Sequence, residues 1–300
     1  VTTHKNRISI IIPAKNEEKT IGLCLDAIMS QRGPEITEVV IIDSGSTDET
    51  CAIAARYEKV RLITIRPEEF GHGKTRNLGA GLAQGEILIF LNADAIPQDD
   101  YWLDRLVLEL NREKKIAGVY SRHLPREGCH LYMARDLEKA MPAFRIEKTR
   151  TDPLDFFQFS TVSAAIRKEI WVCYPFQDEI PIAEDQEWAE RVLQAGYKLV
   201  YTPDSSVLHS HNYSSREMFH LKKRVGQVVN PFPNRISAIF LGPFLSLGGI
   251  IVKCCADYAY IMKLGLPLIG KIREMITSLK ARTSGFAGHY AGWVTKSHPQ

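Results

Sequence analysis

Four acidic residues and two histidines stand at positions where side chains do chemistry. Asp43 ends the apolar run VVII, and Asp94 follows ILIFLNA. A carboxylate at a strand end accepts hydrogen bonds from a nucleobase or ribose, or holds a divalent cation; its structural use is as a turn or helix cap. Glu184 and Asp185 open a stretch whose apolar positions are Trp188, Ala189, Val192 and Leu193, which puts the acidic pair in a first helical turn. Acids there suit the helix dipole, and a carboxylate held near a sugar hydroxyl also serves as a general base. His209 and His211 follow SSVL; alternate residues on a strand share a face, so either or both can reach a metal.

FGHGKTRN, residues 70–77, offers a different chemistry. Its glycines let a ligand approach the backbone, and Lys74 and Arg76 lie at the start of a helix whose N–H groups favour anions. A phosphate or a pyrimidine edge fits there; the plain alternative is a loop capped by Thr75 with surface cations. No G-x-G-x-x-G follows the first strand and no G-x-x-x-x-G-K-[ST] occurs, which argues against nicotinamide-dinucleotide enzymes and P-loop kinases.

These residues need a scaffold, and the apolar pattern supplies one. ISIII at 8–12, stopped by Pro13, reads as a strand buried on both faces. Ile21, Leu25 and Ile28 recur at helical spacing within 19–30, 39–42 is a second strand, and Ser46 or Thr47 introduces a helix over 47–57. A strand at 61–65, a helix at 74–82 and a strand at 87–91 continue the alternation. This cadence predicts a parallel sheet with right-handed crossovers, whose ligands bind beyond the carboxyl ends of the strands. PAKNE (13–17), DSGSTD (43–48) and Asn92-Ala93-Asp94 follow three of those strands directly, so they converge on one edge.

Three hundred residues with 45% apolar and 24% charged side chains belong to a globular chain and not to a disordered one. The net +3 is unevenly spread: residues 213–300 hold 12 Lys/Arg against 3 Asp/Glu, a local +9, which leaves −6 on 1–212. The chain therefore reads as a domain over 1–212 and a basic, apolar-rich extension over 213–300. Such an extension suits an anionic surface or a lipid-linked substrate; lysines on the solvated face of a helical hairpin are the alternative. Its helices are predicted at 217–229, 236–263 with a break at Gly242-Pro243, and 268–280. The middle one is apolar all round, implying cover by another helix, a second copy or lipid. Its 17-residue run at 236–252, interrupted by Pro243 and three glycines, reads as packed or interfacial and not as spanning. Six cysteines without a C-x-x-C spacing indicate neither a zinc ribbon nor a disulfide scaffold. With no signal-peptide pattern ahead of the first strand, a reducing cytoplasmic location is expected, and no nucleic-acid partner.

Taken in order, PAKNE, DSGSTD, GHGKTRN, FLNADAIP, AEDQEWA, GYKLVYTP and VLHSHNYS resemble the inverting family 2 glycosyltransferases of the GT-A fold. Within that family the likeness is greatest to bacterial rhamnosyltransferase-type enzymes, and it covers about residues 7–215. The resemblance implies an α/β, Rossmann-like and mostly parallel central sheet flanked by helices, with a C-terminal helical extension. It implies that Pro13, Ala14 and Glu17 line the nucleotide pocket, that Asp43 reads the pyrimidine base with Ser44 beside it, and that Lys74, Arg76 and Asn77 sit by the base and diphosphate. Asn92-Ala93-Asp94 takes the place of the family's D-x-D, where the last acid binds Mn²⁺ or Mg²⁺; Asn92 replaces the first acid and removes a negative charge near the metal. Asp185 matches the catalytic base and His209 a second metal ligand, with His211 the lesser candidate. Glu184 and Trp188 fall on the acceptor side.

The combined expectation is a metal-dependent inverting glycosyltransferase. It moves rhamnose or a similar sugar from a dTDP- or UDP-sugar to a hydroxyl of a growing glycan or glycolipid in cell-surface polysaccharide assembly. Residues 213–300 would touch the inner face of the membrane peripherally, and a homo-oligomer is a further partner the composition allows. The rival readings are a retaining glycosyltransferase and an inactive sugar-nucleotide-binding scaffold, which Asn92 keeps in play. A nucleotidyltransferase would need a glycine-rich triphosphate loop after strand one, and PAKNE has no glycine.

Overall fold

The computed structural model describes residues 7–150, 159–228, 231–232 and 235–295. In chain order the elements are β1 (Ile8–Ala14), α1 (Ile21–Met29), β2 (Ile36–Asp43), α2 (Thr50–Ala54), β3 (Val60–Thr64), α3 (His72–Leu82), β4 (Ile87–Leu91), β5 (Ile96–Pro97), α4 (Trp102–Leu110) and β6 (Ile116–Leu124). There follow α5 (Leu131–Ala140), β7 (Ile146–Lys148), β8 (Ser163–Arg167), α6 (Lys168–Cys173), α7 (Glu184–Gln194), β9 (Lys198–Leu208), α8 (Ser215–Val228), α9 (Arg235–Lys263) and α10 (Leu268–Thr295). The chain divides into two compact units, Val1–Leu124 with Met141–His209, and Pro125–Ala140 with Ser210–Gln300. Residues 125–140, read with the first domain from the sequence, thus group with the extension.

The first unit is a sheet in the order β3-β2-β1-β4-β8-β6-β9-β5, with β7 also on β9. Its β1–β4 half is parallel, as the alternation predicts. β6 runs parallel to β9, while β8 is antiparallel to both β4 and β6. One face buries Ile10, Ile12 and Ile89 against Leu25 and Ile28 of α1 and Trp102 and Leu103 of α4. The other buries Ile11, Leu88 and Phe90 against Ala80 of α3, Ile170 of α6 and Trp188 and Val192 of α7. Each such side chain contributes about 1.5–3 kcal/mol when fully buried, which explains why the continuous β-branched runs take the centre. The chain leaves β1 for β2 and β3 on one side, then returns to β4 on the other. This switch opens a crevice between the loops that follow β1 and β4.

Register fixes those loops level with one another: Ala14 pairs with Asp43, and Asp43 with Thr64. Side chains then tie the β1 and β2 loops together. Ser46 Oγ accepts from Asn16 N–H at 2.8 Å, Asn16 Oδ1 accepts from Thr47 N–H at 2.9 Å, and Thr50 Oγ1 accepts from Glu17 N–H at 2.7 Å. Asn16 sits at φ 55°, a left-handed conformation that an asparagine tolerates better than most residues. Because the loop uses residues 44–49 in this way, α2 is shorter than the 47–57 expected.

The second unit is helical. α10 lies along α8 on a seam of glycines: a Cβ on Gly288 would collide with the Phe219 carbonyl, and one on Gly292 with the Lys223 carbonyl. These small residues do not break the helix, so α10 continues to Thr295, beyond the expected end at 280. α9 likewise runs unbroken through Pro243, correcting the predicted break. Proline removes one N–H from the ladder, and Phe240, Leu241 and Phe244 around it are exposed. Among the described residues α9 is the one helix long and apolar enough to cross a membrane, and 17% of its most apolar stretch is buried. Most of its apolar surface is uncovered in the structure.

Candidate active site

A cavity of about 190 Å³ opens at the carboxyl ends of β1, β2 and β4, lined by Pro13, Ala14, Lys15, Glu17, Ser44, Phe70, His72, Arg76, Asn92, Ala93 and Asp94. Each group reaches it by its position on an element. Pro13 and Ala14 end β1, Ser44 follows β2, and Asn92–Asp94 follow β4. The first turn of α3 contributes His72, so a helix N-terminus, which favours anions, borders the cavity. Gly73 lets residues 176–177 pack closely on α3, because a Cβ there would stand 2.7 Å from the Gln177 carbonyl oxygen.

Arg76 organises the wall. Its guanidinium donates to Glu184 Oε1 at 2.8 Å, to Asn92 Oδ1 at 3.0 Å and to the His72 carbonyl at 3.1 Å. Both side chains of the Arg76–Glu184 pair are about 95% buried, at 6% and 5% exposure. The pair ties the first turn of α7 to the donor cavity and so locates Asp185, the next residue. The amide at 92 has a structural use as well: its oxygen accepts from the guanidinium, so Glu184 is the carboxylate in direct contact with Arg76.

Asp185 is half-buried. Its Oδ2 accepts from Thr161 N–H at 3.2 Å and its Oδ1 from its neighbour Gln186 N–H at 2.9 Å. Burial first, and the adjacent Glu184 charge second, push its carboxyl above the usual carboxylate range; the Thr161 hydrogen bond and Arg76 pull the other way. A raised carboxyl suits proton abstraction near neutral pH. Ala183, the residue before this pair, caps α7 at φ 68° and ψ 32°, a left-handed strain that costs an alanine about 1–2 kcal/mol.

Asp94 Oδ1 lies 3.5 Å from His209 Nε2. Donors about 2.1 Å from one cation stand about 3 Å apart at a right angle, so the pair fits two positions of a Mn²⁺ or Mg²⁺ shell. The mixed oxygen and nitrogen donor set is more favourable to Mn²⁺. His123 packs edge-on to His209 at 5.5 Å, and burial followed by the His209 neighbour pushes it down to about 3, so it is neutral there. His211 belongs to the second unit, where its ring stacks on Tyr213 at 5.0 Å.

Other expected site residues are not among the cavity lining. Asp43 is buried and turned onto its own loop, where it accepts from Gly45 N–H and Ser46 N–H at 3.0 Å each and from the Ser46 hydroxyl. Lys74 is exposed on α3 and outside the cavity lining. Asn77 is not among the cavity lining: it donates to the Phe176 carbonyl at 2.7 Å and to Asp178 Oδ1 at 2.9 Å, and accepts from Trp171 Nε1 at 3.0 Å and Phe176 N–H at 3.1 Å, four bonds that saturate an amide. Trp188 is 0% exposed and donates to the Tyr174 carbonyl. It is core and cannot touch an acceptor. Glu184 is buried as the partner of Arg76. Lys15, Phe70 and His72 were not singled out from the sequence, although each lies inside a motif that was; Thr161 carried no sequence signal.

Comparison with known proteins agrees with this geometry. The profile described as Glycosyl transferase family 2 matches residues 9–173, ending before α7. The O-antigen chain rhamnosyltransferase RfbN of Salmonella typhimurium is 32% identical over 220 residues, 71% of this chain and 69% of that protein. The O-antigen chain rhamnosyltransferase WbaN of Salmonella anatum is 32% identical over 207 residues, 66% of this chain and 65% of that protein. The match thus spans about two thirds of either relative's length. The mannosyltransferase PcManGT from Pyrobaculum calidifontis, solved with GDP-Man and Mn²⁺, superposes with a TM-score of 0.59 at 21% identity, covering 96% of this chain and 86% of that one. That likeness is one of fold, and the fold is GT-A.

Proposed function

The chain belongs to glycosyltransferase family 2, and from that premise we propose that it transfers rhamnose or a closely similar sugar from a dTDP- or UDP-sugar to a hydroxyl of a growing glycan or glycolipid, with inversion. The rhamnosyltransferase relatives support the sugar and the cell-surface setting. The observation that carries the mechanism is the buried Arg76–Glu184 pair, which ties the half-buried Asp185 to an arginine that lines the cavity at the strand ends.

Asp185 takes the acceptor hydroxyl's proton as that oxygen attacks the anomeric carbon from the face opposite the leaving group. The bond from that carbon to the diphosphate oxygen breaks, and the nucleoside diphosphate departs with the electron pair. Thr161 and Gln186 hold the carboxyl in place for the transfer. Arg76 and the N–H groups opening α3 meet the charge that develops on the departing diphosphate. Asp94 and His209 would hold a divalent cation, Mn²⁺ or Mg²⁺, which supplies Lewis-acid neutralisation of that charge. Pro13, Ala14, Glu17 and Ser44 then bound the nucleoside.

Asp185→Asn is the test. A positioned base contributes roughly 10²–10⁴-fold, so kcat should fall at least about a hundredfold while UDP or dTDP still raises the melting temperature. Turnover within tenfold of the unmodified protein would remove Asp185 from the role. Product configuration by NMR separates inversion from retention. Asn92 favours a second reading, donor binding without transfer; a nucleotide-induced stabilisation with neither transfer nor hydrolysis in the unmodified protein would select it.

The uncovered apolar face of α9 and the local +9 of residues 213–300 support peripheral contact with an anionic membrane face, where a lipid-linked acceptor resides. Flotation with anionic liposomes should retain the protein at low salt and release it at high salt; a fully soluble fraction at low salt refutes that contact. A concentration-dependent dimer by light scattering would instead assign α9 to a second copy.

A further inference from the structure

We infer that the second unit carries a binding site of its own for a phosphate ester of a long hydrocarbon. A cavity of about 370 Å³ lies wholly within that unit, between α5, α8, α9 and α10. Its volume is that of a site for a drug-sized molecule, several times what a bare inorganic anion fills.

Charge in this cavity does not balance. Lys222, Lys253 and Arg282 line it together with Asp136. Asp136 accepts from Arg282 at 2.7 Å and from Lys253 at 3.2 Å. Behind it the fully buried Asp257 is shared by Arg282 at 2.8 Å, by Arg135 and by the Ser278 hydroxyl at 2.6 Å. Four cations thus meet two carboxylates, and of the four Lys222 is the one for which the described residues provide no ion pair. A partly buried ammonium beside two other cations is costly to hold without an anion. Burial lowers the affinity of Lys222 for its proton; Asp136 opposes this, and Arg282 and Lys253 add to it.

Two further groups in the lining are left without partners. The Tyr132 hydroxyl is buried and makes no hydrogen bond, although its residue is 2% exposed. His289 Nδ1 is also buried without a partner. A buried hydroxyl left unsatisfied costs about 1–3 kcal/mol, and a phosphate oxygen entering toward Lys222 is the kind of acceptor both the tyrosine and the ammonium lack. The remaining wall is apolar, from Met133, Leu137, Met218 and Phe286, which a hydrophilic anion does not need and a hydrocarbon does. Lys253 enters the cavity from α9, the same helix that leaves Phe240, Phe244 and Val252 exposed at 69%, 76% and 68%. One helix thus offers a cation for the headgroup and an uncovered apolar face for the chain.

This deepens the acceptor side of the proposed function, since a lipid phosphate is what would carry a membrane-bound acceptor; the binding itself rests on the second unit alone. The test is calorimetric titration of the full chain with farnesyl monophosphate, farnesol and inorganic phosphate in parallel. The monophosphate should bind at least tenfold more tightly than either of the others. Lys222→Met keeps the aliphatic stem and removes the unpaired charge, and Tyr132→Phe removes only the hydroxyl. Each should weaken the monophosphate at least fivefold while the stabilisation by UDP or dTDP in the first unit is retained. Equal binding of farnesol and the monophosphate, or unchanged binding in both variants, overturns the inference. Equal binding of inorganic phosphate overturns the lipid source in favour of a soluble phosphate. Because no sugar donor takes part, loss of this site and loss of the transfer mechanism are read separately.

Discussion

Arg76→Met is the substitution whose consequences can be worked out furthest. Both partners of the Arg76–Glu184 pair are about 95% buried, so removing the guanidinium strands a carboxylate in protein, which costs about 3–5 kcal/mol. Replacing both partners by apolar residues is often near neutral, so Arg76→Met/Glu184→Leu should regain most of the loss. Urea unfolding followed by Trp102 and Trp188, both fully buried in the first unit, measures each variant. The same change acts on the base. Glu184 raises the Asp185 carboxyl and Arg76 lowers it, so Arg76→Met should move the acidic limb of kcat/KM to higher pH and Glu184→Gln should move it lower. The sign for stability follows: Asp185 holds its proton in the fold at pH values where the unfolded chain has released it. Its contribution to stability is full below the ordinary value of 3.8 and is lost as pH rises through the raised folded value. A destabilisation below about 1 kcal/mol in Arg76→Met, or a double variant no more stable than the single one, would refute the buried-pair account.

Three other outcomes are expected. His209→Ala should abolish any extra thermal stabilisation that Mn²⁺ gives in the presence of UDP or dTDP, while His211→Ala leaves it in place; the reverse pattern would exchange the two histidines. Ala183→Gly should stabilise by about 0.5–1 kcal/mol, since relief of a left-handed alanine outweighs the glycine entropy cost; a loss of stability would show that the Cβ does more than strain. Asn77→Leu should destabilise by about 2–4 kcal/mol through the groups it leaves unpaired on residues 171–176, with nucleotide affinity within twofold. A tenfold loss of affinity would return Asn77 to the donor site.

The strands of the parallel half and the loops that follow them were legible because β-branched runs such as Ile8–Ala14 have no other stable use than burial between two helical layers. Asp94, Arg76 and Asn92 were legible for the same reason: a residue directly past such a strand, or one turn into the next helix, has little freedom of placement. Direction was harder to read. Asn77 is one residue from Arg76 yet on another side of α3, and Trp188 belongs to the site motif in sequence but to the core in space. β8, whose sequence SAAIR is small and short, carries no periodic signal and enters antiparallel between β4 and β6. In the second unit, proline and glycine inside α9 and α10 resemble breaks, because local propensity cannot tell a chain stop from a packing contact.

The seam between α8 and α10 also acts as an index. Sliding α10 by one residue turns it by about 100°, which would carry the bare backbone of Gly285, Gly288 and Gly292 out of the contact and drive larger side chains into it. The helix therefore has a single angular setting, and that setting aims Arg282 and His289 into their cavity. Headgroup geometry in this unit is dictated by side chains that are missing. A mutational scan for ligand affinity should accordingly score heavily at glycines that no ligand touches, and α10 should accept substitutions on its outward face but no single-residue insertion between Gly285 and Gly292.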